Sequence, residues 1–352
     1  MELGNMYPPT QAQPYRAGHA GDARLVGRTR AALDACGRTS ARHGEFRSRW
    51  DGRFTVSTLL EVPPDLAPVL AECERITRAR ARNFWYGLKL TPDTARGAMY
   101  VIYAWMRAAD DLADAEGFAP EERVRRIAEF RAATDAALAG EIPDDSPVWR
   151  GLAWVAERHQ LSQRDFHDML DGQLSDVGPA TYQHWDDLRG FCYRVASTVG
   201  LVCIRIWGYH DPAAPALAVD RGIAFQLTNI LRDFREDYDL GRVYLPAEDF
   251  RRFDLTPESL RGWKQPEQCA EFMRAQCDRA EQFYVRSAPL DQMITPSCLP
   301  TLWAMTQIYH GLLVKIRANP AKVVSDKRVR LSSARKAWIA WRASRMARGA
   351  RA

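Results

Sequence analysis

The chain has 352 residues, 46% of them hydrophobic and 26% charged, with a formal net charge of +5. That balance excludes a disordered or fibrous protein and fits a soluble globular one with a sizeable core. It also excludes a membrane-spanning chain, since no segment approaches the ~20 apolar residues needed to cross a bilayer.

Residues 1–55 are rich in Gly, Ala, Pro and Arg and lack sustained periodicity, which predicts a flexible basic arm. Met1 to Ala20 has no apolar core, so it does not read as a secretory signal. From about Leu66 apolar residues recur every three or four positions. The pattern predicts helices over 66–82, 93–114, 120–139, 147–159, 162–174, 184–207, 213–239, 267–288, 296–318 and 330–347. Pro92-Asp93, Pro120-Glu121-Glu122 and Ser162 mark three of the starts. No alternating pattern of strand length is present and the internal linkers are short, so 56–345 reads as one all-α domain. Seven scattered cysteines without a CxxC predict packed thiols of a cytoplasmic protein, not a zinc site or a disulfide framework. His159, His167, His184, His210 and His310 share no metal-ligand spacing.

Two helices carry acids in a repeated arrangement. At about 100° per residue, Tyr103, Arg107, Asp110 and Asp114 fall in one stripe of the first. In the second, Gln226, Asn229, Asp233 and Asp237 form a similar stripe, backed by Ile223, Leu227, Ile230 and Phe234. A single i,i+4 pair is an ordinary solvated face. Two pairs of like charge, each among apolar and small residues, call for a cation to relieve the repulsion. Carboxylate and amide oxygens suit magnesium, which commonly bridges protein acids to substrate phosphates. No Gly-rich phosphate loop competes for that role.

Further runs share the chain with these stripes: Ala81-Arg-Asn-Phe-Trp-Tyr-Gly87, Asp171-Gly-Gln-Leu-Ser-Asp176, Tyr193-Arg-Val-Ala-Ser-Thr-Val-Gly200 and Gly241-Arg-Val-Tyr-Leu-Pro246. A weaker basic run extends from Lys327 to Lys336. In order and spacing, from about Arg78 to Trp341, the sequence resembles the squalene/phytoene synthase family of head-to-head trans-prenyl synthases, bacterial squalene or presqualene diphosphate synthases in particular. The first run departs from the common pattern, with Arg82 where lysine is frequent and Asn83 where many relatives carry a small hydroxyl residue. The C-terminal hydrophobic anchor of eukaryotic squalene synthases has no counterpart here, which fits a bacterial-type enzyme.

The resemblance implies a single helical bundle around a hydrophobic channel whose mouth lies between the acidic helices. It implies that Asp110 and Asp114 on one wall, and Asn229, Asp233 and Asp237 on the other, hold about two to three magnesium ions. Arg82, Arg107 and Arg242 would contact diphosphate oxygens, a role suited to the guanidinium fork. Tyr103, Tyr193, Tyr244 and Gln226 would orient the reacting carbons, with Phe84 facing the cations and Asp176 assisting the site. Magnesium and arginine would draw off one diphosphate, and the alkene of a second prenyl diphosphate would attack the allylic cation to give a cyclopropylcarbinyl diphosphate. The leading expectation is coupling of two farnesyl diphosphates to presqualene diphosphate or squalene, the latter requiring NADPH. Phytoene from two geranylgeranyl diphosphates is the alternative.

A class I terpene cyclase would share the acidic helices but not need the Gly241–Pro246 run. A non-catalytic relative would have lost acids, and both sets are present. From Lys327 to Arg351 there are nine basic residues and no acid, interleaved with Trp338, Ile339 and Trp341. That pattern suits either a peripheral contact with a membrane surface or a final packing helix with a solvated basic face. No nucleic-acid partner is expected, and a monomer is favoured.

Overall fold

Prolines and capping groups set the helix starts. The protein is described by a computed structural model covering residues 62–81, 83–113, 118–175 and 181–349, without the side chains of Asn83, Phe84, Tyr86 and Pro120. The carbonyl of Pro92 accepts from the backbone N–H of Ala95 (3.0 Å) and Arg96 (2.8 Å). Pro120 occupies the first turn of its helix after an extended Ala119. Ser146 Oγ accepts from the Val148 N–H at 3.4 Å, just ahead of Pro147.

The resulting elements, in chain order, are α1 (Ala67–Arg80), α2 (Asn83–Leu88), α3 (Asp93–Ala113), α4 (Pro120–Leu138), α5 (Pro147–Arg158), α6 (Gln163–Ser175) and α7 (Trp185–Cys192). A π-helical turn, Tyr193–Ser197, leads into α8 (Thr198–Trp207). Then follow α9 (Ala214–Asp239), α10 (Ala247–Arg252), α11 (Pro257–Arg261), α12 (Pro266–Ser287), α13 (Leu290–Met293), α14 (Leu299–Ala318) and α15 (Ser333–Gly349). Among the described residues there is no strand, only two isolated bridges, Thr181 with Val243 and Tyr209 with Ile294. The fold class is all-α, as the periodicity predicts. No described helix is long and apolar enough to cross a membrane. The proposed arm at 1–55 lies outside the described residues.

The long helices lie within a few residues of their predicted bounds. The short ones, α2, α10, α11 and α13, span too few turns to show a period. The larger departure is at 184–207, where one continuous helix is expected and a π turn interrupts it. Close neighbours press on that turn. A Cβ on Gly222 of α9 would lie 2.5 Å from the Ser197 Cα, and one on Gly172 of α6 would lie 2.8 Å from Val195 Cγ1. Only glycine lets both helices approach this closely.

Two apolar clusters fill the interior. The first is built mainly from α1, α3 to α6 and α8, around the fully buried Trp105, whose indole N–H donates to Thr134 Oγ1 at 3.0 Å. The second gathers α7, α9, α12, α14 and the inner face of α15, including Phe272, Leu227 and Ile339. The six described cysteines are free and buried. α9, 26 residues and so ~39 Å long, packs against α8, α12, α14 and the π turn.

Candidate active site

Between the two clusters lies a cavity of about 230 Å³. Met106 of α3 and the residues Phe225, Gln226 and Asn229 of α9 line it. The remaining wall is almost wholly apolar, contributed by the π turn, α8, α13 and α14. The acids continue these two helices: Asp110 sits one helical turn past Met106, and Asp233 one turn past Asn229. Both acid-bearing helices thus contribute residues to the lining of one cavity.

On α3, Asp110 and Asp111 are half-exposed and held by local partners. Arg107 donates to Asp111 Oδ1 through Nε (3.0 Å) and Nη2 (2.7 Å), and to Asp110 Oδ2 at 3.4 Å. Arg80 adds a 2.7 Å bond to Asp111, and Gln173 Nε2 of α6 donates to Asp110 Oδ1 at 2.5 Å. Burial pushes the Tyr103 hydroxyl above its ordinary range, one turn further down the same stripe.

On α9 the surroundings differ. Asp233 is only 16% exposed and lies between two guanidiniums. Arg232 donates to Oδ1 at 2.7 Å and Oδ2 at 2.5 Å, and Arg328 makes the same pair of contacts at 2.7 and 2.5 Å. Burial acts to raise this carboxyl, and the two arginines outweigh it, holding it below the usual carboxylate range. The segment carrying Arg328 is itself tied to α9, through Arg235 to the Ser325 carbonyl (2.8 Å) and to Asp326 (2.9 Å). Nearer the apolar space, Tyr309 stacks on Phe225 with ring centroids 4.6 Å apart. Its hydroxyl is pushed up by burial, against a hydrogen bond with Asn229.

Other predicted residues fall elsewhere. Tyr193 opens the π turn and donates to Asp168 Oδ2 at 3.2 Å. Tyr244 is buried in the second cluster, its ring centroid 5.1 Å from that of Phe191 and 6.1 Å from that of Tyr182. It does not line the cavity. Arg242 sits in the turn that closes α9, its backbone N–H on the Asp237 carbonyl at 2.8 Å, just after Gly241 at φ +79°. Arg82, Asp114, Asp176 and the side chain of Phe84 lie outside the described residues.

Sequence reasoning missed Arg232, Arg328, Gln173 and Asp168. Arg328 belongs to the weak basic run at 327–336, but no local period links it to an acid 95 positions earlier. It also missed Arg221, a buried cation on the cavity wall. Its guanidinium is taken up by Ser287 (2.8 Å to Oγ, 2.9 Å to O), by Thr306 Oγ1 at 2.5 Å and by Asp291 at 3.3 Å.

The oxygen donors of the two stripes fit a hard cation, though among the described residues no three carboxylates, histidines or cysteines converge on one point. Asp233 accepts four hydrogen bonds, about the full capacity of a carboxylate. A metal can take one of its oxygens only if a guanidinium gives way. Of the two, Arg328 is the more exposed, at 31% against 17% for Arg232.

The chain is similar to known proteins over most of its length. Residues 77–335 match the family model for squalene/phytoene synthase. A phytoene synthase of Mycobacterium tuberculosis is 37% identical over 275 residues, covering 76% of this chain and 87% of the relative. A 15-cis-phytoene synthase of Synechococcus elongatus is 32% identical over 268 residues, with 72% and 85% covered. Among solved structures, a dehydrosqualene synthase bound to a ligand superposes with a TM-score of 0.71 at 29% identity, covering 81% of this chain and 98% of that one. A squalene synthase from Alicyclobacillus acidocaldarius gives 0.68 at 26% identity, with 73% and 96% covered. The chain belongs to the squalene/phytoene synthase family of prenyltransferases.

Proposed function

We propose that the protein couples two prenyl diphosphates head to head in a magnesium-dependent reaction. The observation that carries this is the composition of α9, which lines an apolar cavity with Phe225, Gln226 and Asn229 and continues one turn later into Asp233. A prenyl chain would lie in the cavity with its diphosphate at the acidic end. Asp110 and Asp114 on one wall and Asn229, Asp233 and Asp237 on the other would hold the ions. Bound magnesium would supply charge neutralisation of the leaving diphosphate.

The chain's own residues do the rest in this reading. Arg328, displaced from Asp233 by a metal, would turn to a diphosphate oxygen, with Arg82, Arg107 and Arg242 as further contacts. Gln226 and Tyr309, which line the cavity, would border the reacting end with Tyr103 on the α3 stripe, and the apolar wall would exclude the water that traps a cation. Tyr244 supports the Gly241–Pro246 run through its ring stack and would keep the orienting role that the resemblance implies. Tyr193 would act through Asp168, and Asp176 and Phe84 would keep the roles that the resemblance implies.

Substrate length has support on two sides. The names of the 37% and 32% identical relatives favour geranylgeranyl diphosphate and phytoene, whereas the expectation from sequence is farnesyl diphosphate and squalene. Incubating purified protein with magnesium and either diphosphate, with and without NADPH, and extracting the products decides between them. No product from either, with folded protein, would sink the coupling reading.

The basic C-terminal helix is proposed as a peripheral contact with the inner face of a membrane, where a very apolar product would be released. Trp338 and Trp341 are 36% and 55% exposed on one face of α15, with Arg342 and Arg345 against their rings. Flotation with anionic vesicles, absent with neutral ones and lost in Trp341→Ala, is the result expected.

A further inference from the structure

The cavity has an end, away from the acids, that the motifs do not address. α8 runs antiparallel to α9: Ser197 Oγ donates to the Val219 carbonyl at 2.7 Å, and a Cβ on Gly200 would lie 3.3 Å from the Ala218 carbonyl oxygen. From the Asn229 end the wall therefore passes Gly222 and Ala218, and then Cys203, Ile204 and Trp207, which lie beyond. Trp207, with Leu290 of α13, is the last large side chain in that direction. The backbone just after Trp207 is fastened to the α13–α14 connection. Thr295 N–H donates to the Gly208 carbonyl at 3.0 Å, and His210 N–H donates to the Met293 carbonyl at 3.0 Å.

A second observation concerns the indole itself. Trp207 is 6% exposed, yet its N–H has no hydrogen-bond partner among the described residues. A buried indole is ordinarily placed where its N–H is satisfied. Leucine or phenylalanine would fill an ordinary core position without that penalty. By contrast Arg221, the charged residue on the same wall, has its guanidinium bonded to Ser287, Asp291 and Thr306. Trp207 thus fills its place by bulk, without a polar contact among the described residues.

We infer that Trp207 is the length gauge of the site, the residue against which the far end of the prenyl chain stops. Along α9 the distance from Asp233 to Ala218 is ~22 Å at 1.5 Å per residue, and Trp207 lines the cavity past that point. The inference rests on the head-to-head reading and deepens it by assigning substrate length to one side chain.

The test uses the full chain with geranyl, farnesyl, geranylgeranyl and geranylfarnesyl diphosphates, and with their unreactive thiodiphosphates in calorimetric titrations. Trp207→Ala is expected to raise kcat/KM at least tenfold for the diphosphate one isoprene unit longer than the wild type's preferred one, relative to that preferred one. Thiodiphosphate affinity should shift in the same sense. Trp207→Phe should keep the wild-type profile. A folded Trp207→Ala protein with the wild-type length profile in binding overturns the inference. Should that variant not fold, Trp207→Leu takes its place, with a smaller shift expected and an unchanged profile again decisive. If the wild type makes no product from any length, the coupling reading fails. In that event a shifted binding profile would still uphold the gauge, and an unshifted one would remove it.

Discussion

The two acidic walls look alike in sequence and are built differently in space. On α3 the carboxylates are half-exposed, Asp111 taking Arg107 and Arg80, and Asp110 taking Gln173 with a longer contact from Arg107. On α9, Asp233 is buried and its four acceptor positions are filled by two guanidiniums, one of them from Arg328 in the C-terminal region. The α3 wall offers carboxylates that solvent already reaches. The α9 wall stores its charge in a compensated form, so that a cation entering there must exchange with a protein group. Equal spacing sets equal geometry along a helix; burial decides what the geometry can do.

The largest expected effect treats the walls as equals. Asp110→Ala and Asp233→Ala should each lower turnover by about a thousandfold or more, the scale of losing a key electrostatic group. Retained activity in either would remove that wall from the reaction.

The next effect separates a clamp that serves folding from one that serves a site. Asp249 is also buried under an arginine, with Arg279 at 2.5 and 3.0 Å and Gln276 at 3.0 Å, but it is away from the cavity. Burial works to raise its carboxyl, and the bonds from Arg279 and Gln276 hold it below the ordinary value. A depressed carboxyl contributes stability above its unfolded-state value, about 3.9, and loses it as the pH falls through the lower folded value. Asp249→Asn should therefore cost about 3 kcal/mol at neutral pH by urea denaturation, the low end for a broken buried pair, since Arg279 is 23% exposed. The gap to wild type should close in acid. Turnover per folded molecule should be unchanged.

The smallest effect probes the exchange itself. Removing one guanidinium from Asp233 frees an acceptor position. Arg328→Gln should then tighten magnesium binding to the substrate-free protein by about tenfold, the value of one charge-assisted hydrogen bond, in calorimetric titration. Weaker or equal binding would mean that Arg328 does not compete with the ion.

Much of the fold was legible because long amphipathic helices write their period into the sequence. The bounds of α3, α4, α5 and α9 follow from prolines and periodicity within a residue or two. Stripe positions such as Asn229 and Asp233 were legible for the same reason. The partners of Asp233 were only half so: Arg232 is adjacent in sequence, but Arg328 is brought there by the path of the chain after α14. The end of the cavity away from the acids was not legible. Trp207 reads as one apolar residue among several in α8, and its place depends on how α8 lies along α9.

The π turn at Tyr193–Ser197 has a consequence for how this chain tolerates change. A π turn holds one residue more than an α turn, and each residue turns a helix by about 100°. Leu188 and Cys192, before it, face the second cluster, whereas Cys203 and Ile204, after it, belong to the first and line the cavity. The extra residue works as a phase shift, letting one helical run serve two cores. Point substitutions leave that phase intact. Loss of a single residue here would restore the α-helical path and rotate all of α8 away from the channel, making length, more than composition, the protected property of this segment.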